Sequence, residues 1–103
     1  MIKSDVLILA NKLAPVIGDR SQAMRQAWSI IKMLRDMRQG VVDFKFVKAD
    51  GTERLAQGTL NPVIMQLPPK GKSQPISICI PYFDVARNHF RSFRADRYLG
   101  KVA

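Results

Sequence analysis

The sequence is short of the residues that build catalytic and metal centres. Its 103 residues include one cysteine, one histidine and one glutamate. A lone Cys79 excludes an intramolecular disulfide and any multi-cysteine zinc site. With His89 as the only histidine, neither a Ser-His-Asp nor a Cys-His set has a supporting motif. Glu53 is the only glutamate, so a carboxylate pair would have to come from Asp43, Asp50, Asp84 and Asp96. Asp50 and Asp84 already have turn roles, and Asp96 stands between Arg94 and Arg97. Gly51, Gly58 and Gly71 do not form a phosphate-loop spacing. The expectation is a protein that is not an enzyme, with no metal and no cofactor. No apolar run approaches the roughly 20 residues of a membrane span. Val6 to Ala10 is too short, and charged too early, for a signal peptide. These absences give the expectation of a soluble cytoplasmic protein.

Acidic residues are also scarce. There are 17 Lys+Arg against 8 Asp+Glu, a formal charge of +9. Residues 1–40 carry seven basic and three acidic residues, residues 41–69 three of each, and residues 70–103 seven and two. The excess therefore sits at the two ends of the chain, around a neutral middle. Such a charge favours polyanionic partners through long-range attraction, nucleic acid first and an anionic membrane surface second. A hydrophobic fraction of 47% supports a folded core rather than a basic tail.

Two helices are expected in residues 1–40. Ser4 and Asp5 offer an N-cap before Val6, Leu7, Ile8, Leu9 and Leu13, and Pro15 with Gly18 stops the helix. This first helix is apolar nearly all round, so it is buried in its own fold or in a partner. In the second, Ser21 is the cap. Ala23, Met24, Ala27, Trp28, Ile31, Leu34 and Met37 recur at steps of three and four. Gln22, Arg25, Ser29, Lys32 and Asp36 line the other side. Trp28 reads as a core anchor. Gly40 is the C′ glycine, after Arg35 and Arg38 in a last turn that suits cations.

From residue 41 the period becomes two. Val42, Phe44 and Phe46 alternate with Asp43, Lys45 and Val47. Asp50-Gly51 marks a hairpin, because its turn needs positive φ, and the return strand runs from Thr52 to Leu60. Asn61-Pro62 breaks it. The spacing predicts a loop over 61–75 with Val63, Ile64, Met65 and Leu67 as buried anchors. Ile76, Ile78 and Ile80 then alternate with Ser77, Cys79 and Pro81, and Pro81 implies an edge or strand end. Cys79 lies opposite the isoleucines, as a structural thiol. Residues 82–103 fit a helix and a strand equally well by periodicity. As a strand, Phe90, Ser92 and Arg94 share one face, and Arg91, Phe93 and Ala95 the other.

Phe90-Arg91-Ser92-Phe93-Arg94-Ala95-Asp96-Arg97-Tyr98-Leu99 resembles the terminal signature of WYL domains. Phe44-Lys45-Phe46 through Asp50-Gly51-Thr52 resembles the opening hairpin of the same SH3-like barrels, and Ile76 to Asp84 the strand before the signature. The chain also resembles small SH3-barrel proteins of unknown function from bacterial and phage genomes. Those share Phe-x-Phe-x-Lys-x-Asp-Gly-Thr, the Gly58-Thr59-Leu60 step and a late Phe-Arg-Ser-Phe. The resemblance spans residues 41–99. The Trp-Tyr-Leu triplet of WYL domains is absent, and residues 1–40 hold no winged helix-turn-helix. The small standalone barrels are therefore the closer match.

The resemblance implies a strand for the tail, with a short turn over Asp96 to Leu99. The expected fold is α+β: a helical segment over 1–40, packed on or extending from a five-stranded SH3-like β-barrel over 41–103. The expected function is a non-catalytic, sequence-tolerant nucleic-acid-binding module of a phage or mobile element. Its partner is DNA or RNA, single-stranded by this reading. Phe90, Arg91, Arg94 and Arg97 are the candidate contacts, with Arg87, Lys45 and Lys48 outside them. Arginine forks bind phosphate oxygens, and an outward Phe90 gives a base a ring to stack on. WYL domains are thought to use the same arginine-rich signature for nucleic-acid ligands. In the competing reading, Phe90 and Phe93 are both core and Arg94, Asp96 and Arg97 form a surface ion-pair cluster. The alternative function is a protein-interaction or assembly factor whose basic surface is incidental, with a protein partner or a homodimer formed through the N-terminal helices.

Overall fold

A computed structural model describes residues 2–65 and 76–102. Helix α1 spans Ile2–Ile17 and α2 spans Arg20–Gln39. Strands β1 (Val41–Val47) and β2 (Glu53–Thr59) follow, then a single helical turn α3 (Pro62–Met65). Strands β3 (Cys79–Asp84) and β4 (His89–Arg94), a 3-10 turn (Ala95–Arg97) and β5 (Tyr98–Lys101) complete the chain. The five strands form one antiparallel sheet in the order β4-β3-β2-β1-β5. This gives the expected two helices and five strands. The sheet is open: β4 and β5 are its edges, and no pairing between them closes a barrel among the described residues.

The helices differ from expectation at their ends. α1 starts at Ile2, before Ser4 and Asp5, and runs through Pro15. Pro15 is exposed, so the Asn11 carbonyl that its missing N–H leaves over lies on the solvent side. Gly18, at φ 83°, ends the helix and donates to the Ala14 carbonyl at 2.8 Å. α2 is capped by Asp19, not Ser21: its Oδ1 accepts from the Ser21 and Gln22 N–H groups at 2.8 and 3.2 Å. Gly40 does end α2, but in extended backbone at φ −178° rather than in the left-handed region.

Burial on α2 is rotated from the predicted stripe. Ala23, Ala27, Ile30, Ile31, Met33 and Met37 are buried, while Met24, Trp28 and Leu34 are only half-buried. α2 has both α1 and the sheet to pack against, so its apolar arc is wider than one stripe. The expected anchors Val63 and Ile64 are also displaced, with Val63 83% exposed. A single helical turn buries neither of them. Leu67 lies outside the described residues.

The period-two pattern of β1 holds: Val42, Phe44 and Phe46 are buried. Phe44 touches Phe46, Tyr82, Phe93 and Tyr98, with ring centroids 5.1–6.2 Å apart. The Asp50-Gly51 turn forms as expected. Gly51 sits at φ 90°, and the Asp50 carboxylate accepts from the Thr52 N–H and hydroxyl at 3.0 and 2.6 Å. These two bonds hold the Asp50 pKa low. Pro81 pairs with Ser92 on one side, and the β2 ladder begins only at Phe83, so its missing N–H interrupts no pairing. Thr59 joins the layers: its Oγ1 lies 2.8 Å from the Gly40 carbonyl and 3.1 Å from that of Met37.

Gly58 is where the aromatic layer meets α2. A Cβ there would stand 2.8 Å from Tyr82 Cδ2, 3.0 Å from Phe44 Cε1 and 3.1 Å from Met37 Sδ. The neighbours are buried rings and a buried thioether, so they cannot swing into solvent. Gly58→Ala should therefore destabilise the fold by about 1–3 kcal/mol through overpacking. Urea denaturation measures it; unchanged stability would mean that the layers are looser than this geometry.

Candidate nucleic-acid interface

Alternation along β4 sorts the candidate residues. Pairs opposite one another in an antiparallel ladder share a face. Ile80 faces Phe93 and Tyr82 faces Arg91, so Arg91 lies on the inner, helix-covered side. Phe83 faces Phe90 and Cys79 faces Arg94, so Phe90 and Arg94 lie on the outer side. Phe90 is 40% exposed and stands edge-on to Phe83, centroids 5.4 Å apart. Phe93 is core. The two phenylalanines are thus divided between the faces, one in each role considered for them.

Arg94 is exposed and bonded to Asp96, Nε to Oδ1 at 2.9 Å and Nη2 to Oδ2 at 3.5 Å. That bond raises its pKa further. The pair engages one edge of the guanidinium and leaves Nη1 for another acceptor. Lys45 is exposed on the outer face of β1 opposite Leu55. Lys48 is exposed at the hairpin, where its backbone closes the turn. Arg97, in the 3-10 turn, is half-buried and has no ion-pair partner among the described residues.

Arg87 has a different setting. Asp84, 1% exposed, accepts from the Arg87 N–H at 3.1 Å. Its Oδ2 lies 3.5 Å from Arg87 Nη1 and 3.8 Å from Arg54 Nη2. This cluster fixes the turn from β3 to β4, so part of the Arg87 charge is spent internally. Only Arg54 meets Asp84 away from solvent; the Arg87 guanidinium is 46% exposed, so its pairing is screened by water. Arg54 gave no signal in the sequence, because its partner is thirty positions away.

A second link unmarked by periodicity is Gln26. Its amide donates to the carbonyls of Ala95 at 2.9 Å and Tyr98 at 2.7 Å. These carbonyls flank Arg97, so α2 holds the turn of the terminal signature. Ala95 is also held by its N–H to the Ile78 carbonyl, 2.7 Å. Among the described residues no three His, Cys, Asp or Glu side chains gather to hold a metal ion, and no helix is long and apolar enough to cross a membrane. Cys79 is exposed and free.

In the comparison with protein families, the model described as WYL_2, Sm-like SH3 beta-barrel fold, matches residues 30–99. No curated protein and no solved structure matches the chain. The matched region takes in the second half of α2, strands β1 to β4 and the start of β5; it leaves out α1 and the first half of α2.

The inner polar edge of the sheet yields a pH prediction. Tyr82 is fully buried, and its hydroxyl has no hydrogen-bond partner among the described residues. Burial first, then the Asp84 charge, raises its pKa above the ordinary 10.0. The folded state therefore holds the phenol proton more tightly than the unfolded state. The resulting stability is complete below pH 10 and is lost as pH rises through the folded pKa. Tyr82→Phe should lose less stability between pH 9 and pH 11, on the order of those values, than the parent chain does. Parallel losses in thermal melts would contradict the assignment.

Proposed function

The chain belongs to the WYL_2 family of Sm-like SH3 β-barrels, and from that premise we propose that it is a non-catalytic nucleic-acid-binding module. The outer face of β4 carries this reading. Phe90, Ser92 and Arg94 alternate outward along one strand, so an aromatic edge and a guanidinium stand about 13 Å apart with a hydroxyl between them. A single strand supplies groups for each: a base for the ring, and phosphate oxygens for the guanidinium edge that Asp96 leaves unused. Lys45 on β1 extends the positive charge of that face, and Arg97 and Lys48 stand at its margins. Arg91 supports the face from behind.

Charge balance supports the same partner. The four ion pairs of the described residues use four cations and three carboxylates, which leaves most of the +9 excess uncompensated. The sequence holds no RNP or zinc-finger pattern for reading base edges, which favours sequence-tolerant recognition. By resemblance to small phage and bacterial barrels, the setting is a mobile element acting in the cytoplasm, with the five strands curled toward a barrel.

The alternative, an assembly factor, draws on α1. Leu7 and Ile8 remain 47% and 45% exposed while Val6, Leu9, Ala10 and Leu13 are core. The nucleic-acid reading has the stronger support, because uncompensated charge selects a partner class and two exposed leucine-type side chains do not.

Binding of a labelled single-stranded oligonucleotide over a salt series tests the reading. With at least four phosphates engaged, log K should fall with log salt at a slope of about −3 or steeper. Phe90→Ala should cost about 1–3 kcal/mol, the value of one stacked base. No binding at about 50 mM salt, where such contacts are strongest, would contradict it.

A further inference from the structure

α2 carries Arg20, Arg25, Lys32, Arg35 and Arg38 against a single carboxylate, Asp36. Asp36 is already bonded to Lys101 at 2.8 Å. Arg25, Lys32, Arg35 and Arg38 have no ion-pair partner among the described residues. Arg25, Lys32 and Arg35 are all exposed. Seven residues bring Lys32 back to within about 20° of Arg25, some 10 Å along the axis, and Arg35 follows about 4.5 Å further on. Trp28 stands between them, half-buried against the core and the only tryptophan of the chain. Lys32 Nζ lies 5.6 Å from its ring centroid.

Like charges three and four apart on a helix repel. Lys32 and Arg35 are such a pair. Among the described residues neither they nor Arg25 form an ion pair, although the Asp36 charge, held by Lys101, acts on Arg35 at longer range. The Trp28 ring is left partly open among them. A phosphodiester chain relieves the repulsion, and its bases supply a partner for the ring. A duplex keeps its bases stacked inside and offers none, so the aromatic selects a single strand.

We propose that the Arg25–Trp28–Lys32–Arg35 face of α2 is a second track for single-stranded nucleic acid, separate from the outer face of β4. The proposal rests on the nucleic-acid reading above and adds a surface to it. Arg25 and Trp28 precede the region matched by the family, and Lys32 and Arg35 lie within it.

Trp28 reports directly on the site. Intrinsic fluorescence should be quenched by an unlabelled oligo(dT) of about 15 nucleotides, within the usual span of such sites. A duplex of equal length should leave it unchanged. Fluorescence anisotropy with a labelled oligo(dT) follows total binding in parallel. Arg25→Ala/Lys32→Ala/Arg35→Ala removes three phosphate contacts, so the salt slope should become shallower by about 2, with affinity about tenfold or more weaker at ~100 mM salt. These side chains are exposed, so far-UV circular dichroism and melting should not change. Binding by anisotropy with no quenching and an unchanged slope in the triple variant overturns the α2 track and leaves the β4 reading standing. Equal quenching by the duplex overturns the single-strand assignment. No binding by either readout overturns both proposals together.

Discussion

The aromatic layer around Phe44 is the constraint on which the rest of the molecule depends. One fully buried ring gathers Phe46, Tyr82, Phe93 and Tyr98 from its own strand and from β3, β4 and β5. Such contacts add about 0.5–1.5 kcal/mol each beyond simple burial. They also fill the inner face of the sheet so completely that Gly58 is needed to let α2 approach. A face filled with rings has no room for unpaired cations. Arg54 is tolerated at its margin because Asp84 answers it, and Arg91 is only half-buried beside Tyr82. Among the described residues, Lys45 and Arg94 stand exposed on the outer face of the sheet, Arg25, Lys32 and Arg35 on α2, and Lys12 on α1, while Lys101 is answered by Asp36.

That sorting gives the electrostatics a direction. With three carboxylates in ion pairs among the described residues, the acids serve the fold: Asp84 the turn, Asp36 the join between α2 and β5, Asp96 the orientation of Arg94. Asp19 and Asp50 are occupied as a cap and a turn acceptor. The cations outnumber these roles, and the surplus faces solvent next to Phe90 and Trp28. Trp28 is half-buried against the core, and Phe90 stands exposed against Phe83 on the outer face of the sheet.

Local patterns carried much of this fold in the sequence. Alternation of Val42, Phe44 and Phe46 and the Asp50-Gly51 turn are set by nearest neighbours and can be read from spacing; the opposite faces of Phe90 and Phe93 follow only once the family resemblance makes that segment a strand. What the sequence hides is set over distance. Trp28 belongs to an apolar helical stripe, yet α1 and the sheet together claim a different arc and leave it at the rim. Asp19 and Ser21 are both good caps, and backbone geometry chooses between them. Pro15 stays helical because its carbonyl partner faces water. The joining of Gln26 to the terminal signature, and of Arg54 to Asp84, spans many tens of positions and has no periodic trace. The candidate site was therefore legible as a run of residues, whereas its division into two faces, and the basic stripe on α2, follow from packing.

The central claim is that the surplus charge is organised into an aromatic-lined surface for single-stranded nucleic acid. Titrating the labelled protein with oligo(dT) in amide and indole correlation spectra tests it most directly, since one tryptophan gives one indole N–H signal. The account predicts shifts concentrated at the Trp28 indole, along Arg25 to Arg35 and along Phe90 to Arg97, while Phe44, Ala56 and Tyr82 in the core stay unmoved. Small shifts spread evenly over every lysine and arginine, with the indole signal fixed, would contradict it.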